Sequence, residues 1–382
     1  MDHAQIALDL SQALGAAARE RSFRPFVDGL RRGLSSAGVR VDRLQLPMSR
    51  MLGFRHPTFG LVLSEWNEQH GHRTTVRTHA ELDATGAPDA RDTPFEGIVF
   101  RGESHLIVPD LQASNDSMAI FEELRSRGFR GYLALGLPLP TGENQPLAIC
   151  SREPFPTDLP ERLEPLRSLL GITVYAAIRT SQAFRVSQAY IGRESGPRVL
   201  QGEIQRGTTQ RLEAGIIFCD IRGFTALSER VGPEEVVRVV NEVFAIVGEA
   251  AERRGGEILK FIGDAMLVVF PVADDRAATA RAMVETARTA LAGVAALDSG
   301  VQIGFGGHIG DVVQGNIGTP ERLDFTVMGP AVNLASRLEG LCKSLHATAV
   351  FSDAVAVEDL GLRPAGPQSV KGVAAPVEAF TL

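Results

Sequence analysis

An apolar run of strand length, Gly215-Ile216-Ile217-Phe218-Cys219, ends in Asp220, and Ile221-Arg222-Gly223-Phe224-Thr225 follows. The glycine lets the backbone turn, and Thr225 is placed to cap a helix. A carboxylate at such a strand end can hold a metal or face a phosphate; it can equally be a cap or turn residue. A second loop, Phe261-Ile262-Gly263-Asp264-Ala265, reads as the bend of a hairpin, because Gly-Asp is a good turn dipeptide. If the strands carrying these loops are neighbours, Asp220 and Asp264 meet. Oxygen donors of this kind suit Mg²⁺ or Mn²⁺ and not zinc. Mg²⁺ keeps waters and substrate phosphates in its shell, so two carboxylates suffice. Two ions held about 3.5–4 Å apart can clamp the entering and leaving oxygens of a phosphoryl displacement. Asn333 and Arg337 stand at i, i+4 and so share a helix face. In isolation such a pair reads as a solvated face.

The elements that must position these residues follow from periodicity. Residues 214–220 form a strand. Gly232-Pro233-Glu234-Glu235 starts a helix, with proline in the first turn and acids at the positive dipole end. Val236, Val240, Val243, Phe244 and Val247 form its buried stripe. Residues 257–261 and 266–270 flank the Gly263-Asp264 bend. An Ala-rich helix is expected over 273–297, paired strands with glycine bends over 301–317, a helix over 331–342, and three short strands at the end. This is an α+β domain.

The first half of the chain has a different order. Residues 4–37 read as helical, with a break near Pro25. Strands are expected at 39–46, 59–66, 74–79, 97–108, 131–139 and 146–150, and a helix at 118–127. His56, His70, His72, His79 and His105 fall in this half; His70 and His72 lack a third ligand nearby and read as a solvated loop. Leu163, Leu166, Leu170, Thr173, Ala177, Thr180 and Phe184 follow a 3,4 spacing. That pattern suits a parallel two-stranded coil or an amphipathic helix packed on its own domain. The division expected is 1–157, a helical linker at 158–211, and 212–382.

The 382 residues, 44% hydrophobic and 22% charged, allow two globular domains with cores of their own. A net charge of −7 argues against broad nucleic-acid binding. Cys150, Cys219 and Cys342 are too far apart for a zinc or disulfide framework, and Cys219 reads as a small buried residue. The N-terminus lacks the pattern of a signal peptide. The apolar run 169–178 is about half the roughly 20 residues needed to span a bilayer. The expectation is a cytoplasmic protein without a membrane span.

Three motifs in order carry a family resemblance. They are Asp220-Ile221-Arg222-Gly223-Phe224-Thr225, then Lys260-Phe261-Ile262-Gly263-Asp264-Ala265, then Asp324-Phe325-Thr326-Val327-Met328-Gly329 with Val332-Asn333-Leu334-Ala335-Ser336-Arg337. Together they resemble the class III nucleotidyl cyclases over 212–382, which implies a ferredoxin-like βαββαβ core. The resemblance implies conversion of ATP to 3′,5′-cyclic AMP and pyrophosphate, with two Mg²⁺ or Mn²⁺ ions per site. Asp220 and Asp264 match the metal-binding aspartates, and Ile221 would offer its carbonyl to one ion. Lys260 matches a purine-selecting residue, able to donate to adenine N1; cyclases for GTP usually carry Glu there. Thr326 matches the second purine-selecting position, usually Asp. Asn333 and Arg337 match residues that orient the ribose and stabilise phosphoryl charge, and Lys371 matches a triphosphate-binding lysine. The site of such enzymes forms between two catalytic domains, which implies a head-to-tail homodimer. Lys with Thr resembles the subgroup often stimulated by bicarbonate, which a titration of activity at fixed pH tests. Residues 1–157 resemble a GAF-type sensor fold in pattern, implying a small-molecule ligand or a dimerisation scaffold. Alternatives are a guanylate cyclase or an inactive nucleotide-binding regulatory module.

Overall fold

The computed structural model describes residues 3–20, 24–36, 38–49, 59–78, 93–193, 195–273 and 275–382. The chain divides into two compact units, Met1–Ala183 and Phe184–Leu382.

The first unit contains α1 (His3–Glu20), α2 (Arg24–Ser36), β1 (Arg43–Ser49), β2 (Phe59–Asn67), β3 (Gly71–Thr78), α3 (Glu96–Phe100), β4 (His105–Val108), α4 (Ala119–Ser126), β5 (Gly131–Pro138) and β6 (Asn144–Ser151). Its six strands make one antiparallel sheet in the order β3-β2-β1-β6-β5-β4. Strand alternation sorts the two faces. Leu133, Leu135, Leu137, Leu147 and Ile149 join Phe26, Leu30 and Leu34 of α2 in one core. Tyr132, Ala134, Ala148 and Cys150 join Phe121 and Leu124 of α4 in the other.

Residues 97–108 depart from the expected strand. They form α3 and, after Gly102 at φ +71, only the four-residue β4. A short apolar run such as 97–100 carries no period that separates helix from strand. The strand expected at 39–46 begins only at Arg43. His56 and His79 lie outside the described residues. His72 Nε2 lies 2.8 Å from Ser64 Oγ, and His70 is exposed in a turn whose backbone is held by Asn67.

A single helix, α5 (Leu159–Ile191), follows. Leu163, Leu166, Leu170 and Ala177, four of the seven residues of the expected heptad seam, are buried in the first unit's own core. This stretch therefore behaves as an amphipathic helix packed on its own domain. Ile172, Val186 and Tyr190 stand exposed instead.

The second unit continues with α6 (Ser195–Leu200), β7 (Thr209–Ile221), α7 (Phe224–Arg230), α8 (Pro233–Glu252), β8 (Glu257–Ile262), β9 (Ala265–Pro271), α9 (Arg276–Ala295), β10 (Ile303–Gly318), β11 (Leu323–Met328), α10 (Pro330–Leu341), β12 (Ala349–Ser352), β13 (Arg363–Gln368) and β14 (Val377–Thr381). The α+β expectation holds, and β7-α8-β8-β9-α9-β10 follows the βαββαβ order. The sheet runs β13-β14-β12-β10-β7-β9-β8, with β11 hydrogen-bonded to β10. Residues 301–317 are one long strand and not a pair; the partner is β11. Gly223, at φ +66, caps α7 in place of Thr225, which lies inside the helix.

The period of two along β7 decides what its end presents. Ile217, Cys219 and Ile221 face the core formed with α8 and α9. Ile216 faces the opposite core, where Ala331 and Ala335 of α10 sit. Asp220, in phase with Ile216, therefore ends on the α10 side. Glycines let α10 lie directly on β10: a methyl group added at Gly306 would lie 2.1 Å from the Glu339 nitrogen and 2.2 Å from the Ala335 oxygen.

Candidate active site

Register brings the two aspartates together. Asp220 pairs with Ala265 of β9, and β8 and β9 close on Ile262 and Ala265. Gly263 and Asp264 are thus a two-residue hairpin loop, with Gly263 at φ +63 where a side chain would be strained. The Asp220 and Asp264 carboxyls come within hydrogen-bonding reach of each other. Burial, the shared hydrogen bond and repulsion from Asp264 and Glu339 push the Asp220 carboxyl up to about 6. The Ile221 N–H donates to Asp220 Oδ1 at 3.1 Å, which holds the carboxylate against the strand end.

Glu339 is a third acid near this corner. Burial raises its pKa, Arg222 opposes that, and Asp264 adds to it. Arg222 Nη1 lies 3.1 Å from Glu339 Oε1. The absence of a side chain at Gly304 makes room for the arginine, since a methyl there would lie 1.8 Å from Nη2. Sequence reasoning missed both Arg222 and Glu339 as neighbours of the aspartates. Arg222 stands inside the first motif, but only α10 lying on the even face of β10 reveals Glu339. Among the described residues no group of three or more His, Cys, Asp or Glu side chains is arranged to hold a metal. Two carboxylates with uncompensated mutual repulsion nonetheless fit a hard cation that retains water.

Lys260 lies on β8, four residues before the loop aspartate, and its Nζ is 2.5 Å from Asp324 Oδ2. Asp324 and Thr326 alternate with Phe325 and Val327, which are core residues, so the two polar side chains share the other face of β11. Thr326 is only 6% exposed. Lys260, Phe261, Asp324 and Phe325 line a cavity of about 820 Å³, together with Tyr190 and Glu257.

The segment entering this domain grips the same strands. Glu257 of β8 accepts from Ser195 N at 3.2 Å and from Ser195 Oγ at 3.3 Å. Arg198 lies over the Phe325 ring at 5.2 Å. The Nδ2 of buried Asn316 donates to the Glu203 carbonyl at 2.6 Å.

Asn333 is exposed and Arg337 half-buried on α10. A methyl added at Gly372 would lie 2.8 Å from Arg337 Nη1, so the Lys371-Gly372 loop folds over this guanidinium; Lys371 is exposed. The candidates thus form three groups: Asp220 with Asp264 and Ile221, Lys260 with the β11 face of Thr326, and Arg337 with the Lys371 loop. Among the described residues no hydrogen bond or ion pair links Asp220 or Asp264 to Lys260, Thr326, Asn333 or Arg337. His308 is a structural residue, with Nδ1 2.7 Å from Ser352 Oγ, and burial lowers its pKa. Burial also pushes the Cys219 thiol well up, in keeping with a core position.

The family match falls in the second unit. Residues 208–382 match the family model of the adenylate and guanylate cyclase catalytic domain. The chain is 36% identical over 160 residues to an adenylate cyclase of Anabaena cylindrica, covering 40% of this chain and 32% of that one. It is 36% identical over 178 residues to adenylate cyclase 1 of Rhizobium meliloti (strain 1021), covering 42% and 26%. The chain therefore matches a third or less of the length of these two relatives. A bacterial light-regulated adenylyl cyclase structure aligns with a TM-score of 0.48 at 28% identity, over 58% of this chain and 63% of that one. Residues 208–382 are thus similar to the adenylate and guanylate cyclase catalytic domain.

Proposed function

We propose that the chain is an adenylate cyclase, converting ATP to 3′,5′-cyclic AMP and pyrophosphate. The observation that carries this reading is the Asp220–Asp264 pair, where burial, the shared hydrogen bond and mutual repulsion push the Asp220 carboxyl up to about 6. Asp220, Asp264 and the Ile221 carbonyl would hold two Mg²⁺ or Mn²⁺ ions. Bound there, the metal supplies a lowered 3′-hydroxyl pKa and charge neutralisation on the triphosphate.

The chain's own residues do the rest. Lys260 donates to the adenine edge and Thr326 lies on the neighbouring strand face. Asn333 orients the ribose. Arg337 faces the charge that develops as the 3′-oxygen bonds to the α-phosphorus and the bond to the bridging oxygen breaks. Lys371, folded in beside Arg337, binds the leaving pyrophosphate. A guanidinium in this role contributes on the order of 10³-fold or more in rate.

The reading includes a head-to-tail homodimer in which one protomer supplies Asp220 and Asp264 and its partner supplies Lys260, Thr326, Asn333, Arg337 and Lys371. The absence, among the described residues, of any hydrogen bond or ion pair joining the two sets within one chain supports it, and so does a symmetric, closed arrangement that uses each group once. Exposed Ile172, Val186 and Tyr190 on α5 offer a further contact between protomers. The first unit would then act as a GAF-like regulatory domain with a small-molecule ligand. No helix among the described residues is long and apolar enough to cross a membrane; the proposed setting is the cytoplasm.

The test uses purified full-length protein with Mn²⁺ or Mg²⁺ and ATP or GTP. Cyclic AMP should form in preference to cyclic GMP. Asp220→Ala and Arg337→Ala should each abolish product, and mixing the two should recover part of it, because one site of each mixed dimer is intact. Mixed dimers without recovered activity would rule out the shared site.

A further inference from the structure

We propose that Glu339 is a positioning residue: it holds the Arg222 guanidinium against α10 and so keeps the protein's own cation off Asp220 and Asp264, leaving that pair open to metal. The proposal rests on the metal-binding reading of the two aspartates and goes beyond it by assigning Glu339 and Arg222, which have no role in that reading.

Three observations carry it. The first is proximity. Asp220 and Arg222 stand two residues apart, about 7 Å by the rise of a strand. The backbone still runs beside β10 here, since Arg222 N donates to the Gln302 carbonyl at 2.7 Å. Side chains two apart on such a stretch leave the same face, so Asp220 is within reach of the long arginine side chain. The second is direction. The guanidinium crosses β10 instead. A methyl added at Gly304, the register partner of Asp220, would lie 1.8 Å from Arg222 Nη2, 2.3 Å from Cζ and 2.7 Å from Nε. Past this glycine, Nη1 meets Glu339 Oε1 at 3.1 Å. Among the described residues no ion pair or hydrogen bond joins Arg222 to Asp220 or Asp264. The third is incompleteness. Arg222 Nη2 and Glu339 Oε1 are both buried without a hydrogen-bond partner, so charge and not bond alignment holds the two together.

A guanidinium is always protonated and carries five donors. Half-buried, as Arg222 is, it needs a carboxylate beside it. Two partners compete for it. One is Glu339, whose side chain is 13% exposed. The other is the Asp220–Asp264 pair, whose repulsion a guanidinium relieves just as a metal does. The bare floor at Gly304 lets the arginine cross to Glu339. Without Glu339 the guanidinium swings back and closes the corner from within.

The test is a double-mutant cycle on full-length protein: the parent, Glu339→Met, Arg222→Gln and the two combined. Glu339→Gln takes the place of the methionine variant if that one does not fold. Mn²⁺ alone is titrated, and the free ion is read by electron paramagnetic resonance, which needs no turnover. The Glu339 variant should bind Mn²⁺ about tenfold or more weakly. Adding Arg222→Gln should restore binding to within about threefold of the parent. In the parent background Arg222→Gln should shift binding by less than about threefold, because there the guanidinium is already detained. Loss of field alone predicts the same factor in both backgrounds. A metal-free crystal structure of the Glu339 variant should show Arg222 paired with Asp220 or Asp264.

An equal factor in both backgrounds would overturn the proposal, as would a Glu339 variant that binds Mn²⁺ like the parent or a double variant that recovers nothing. So would an arginine that stays over Gly304 in the crystal structure. If the parent binds no Mn²⁺, or if Asp220→Asn leaves its binding unchanged, the metal reading fails on its own. The structure of the Glu339 variant then decides: Arg222 on the aspartates supports its detention by Glu339, and Arg222 over Gly304 overturns it.

Discussion

The aspartate corner and the purine edge sit on the same β8–β9 hairpin and are electrostatic opposites. At the corner, Asp220 and Asp264 face each other with Glu339 nearby, and the Asp220 carboxyl rises to about 6. Arg222 pairs with Glu339 through Nη1. At the edge, Lys260 already has its counter-charge in Asp324. On the proposed function the corner would be completed by a cation, whereas the edge already has its counter-charge and offers a directional pattern. The difference teaches which free energy each region contributes. In the proposed enzyme, the burial and repulsion borne by the corner would be relieved on binding a cation and so would serve metal affinity and catalysis. In the proposed enzyme, compensation at the edge would leave net charge unchanged and so would serve discrimination.

The largest effect should come from removing the stored repulsion. Asp220→Asn should lower kcat by more than about 10³-fold, yet raise the melting temperature of the metal-free protein at pH 8. A lower melting temperature would mean that the corner is held together by something other than waiting charge. Next, Lys260→Glu should shift the ATP-to-GTP ratio by about 10- to 100-fold towards GTP. It should not create the metal-free stabilisation seen at the corner.

A third change strikes the support beneath the corner. Gly306→Ala should cost about 1–3 kcal/mol in urea unfolding, because a methyl there meets the α10 backbone. The ATP-to-GTP ratio should survive in the remaining folded protein.

The fourth is a pH dependence. The folded Asp220 carboxyl titrates at about 6, above its ordinary 3.8. A raised carboxyl contributes stability that is fully present below the ordinary value and is lost as pH rises through the folded one. Metal-free protein should therefore lose stability between about pH 4 and 7 by an amount that Asp220→Asn abolishes. Apparent Mn²⁺ affinity should weaken by up to about tenfold per unit below pH 6, as protons compete for the site. The smallest effect is at the edge: Lys260→Ala should change stability by less than about 1 kcal/mol, because the Asp324 partner is mostly solvent-exposed.

The catalytic half was legible because its signals are local. Gly-Asp bends, strand-length apolar runs and the Asn333/Arg337 spacing each follow from a few residues. Asp324 was legible in part: it stands in the third motif, and period two puts it on the face of Thr326. Its pairing with Lys260 needed the path from β8 to β11, which no short stretch contains. Arg222 and Glu339 were hidden for the same reason. In the first half, residues 97–100 misled because a short apolar run carries no usable period. The leucines of α5 misled differently. Their 3,4 spacing records a buried helix face but not whether the cover is a second chain or the domain's own sheet. Here Leu163, Leu166 and Leu170 are covered from within.

The close seat of α10 on β10 has a kinetic consequence. At Gly306 the helix bearing Arg337 is seated directly on the sheet bearing Asp220, backbone against strand. In the proposed enzyme this seat would resist a shift of the helix within the domain, so a regulatory signal would act by displacing the catalytic domain as a whole body. The response would then resemble a clutch, engaging or releasing intact machinery, with a change in the fraction of competent assemblies and an unchanged turnover rate for each.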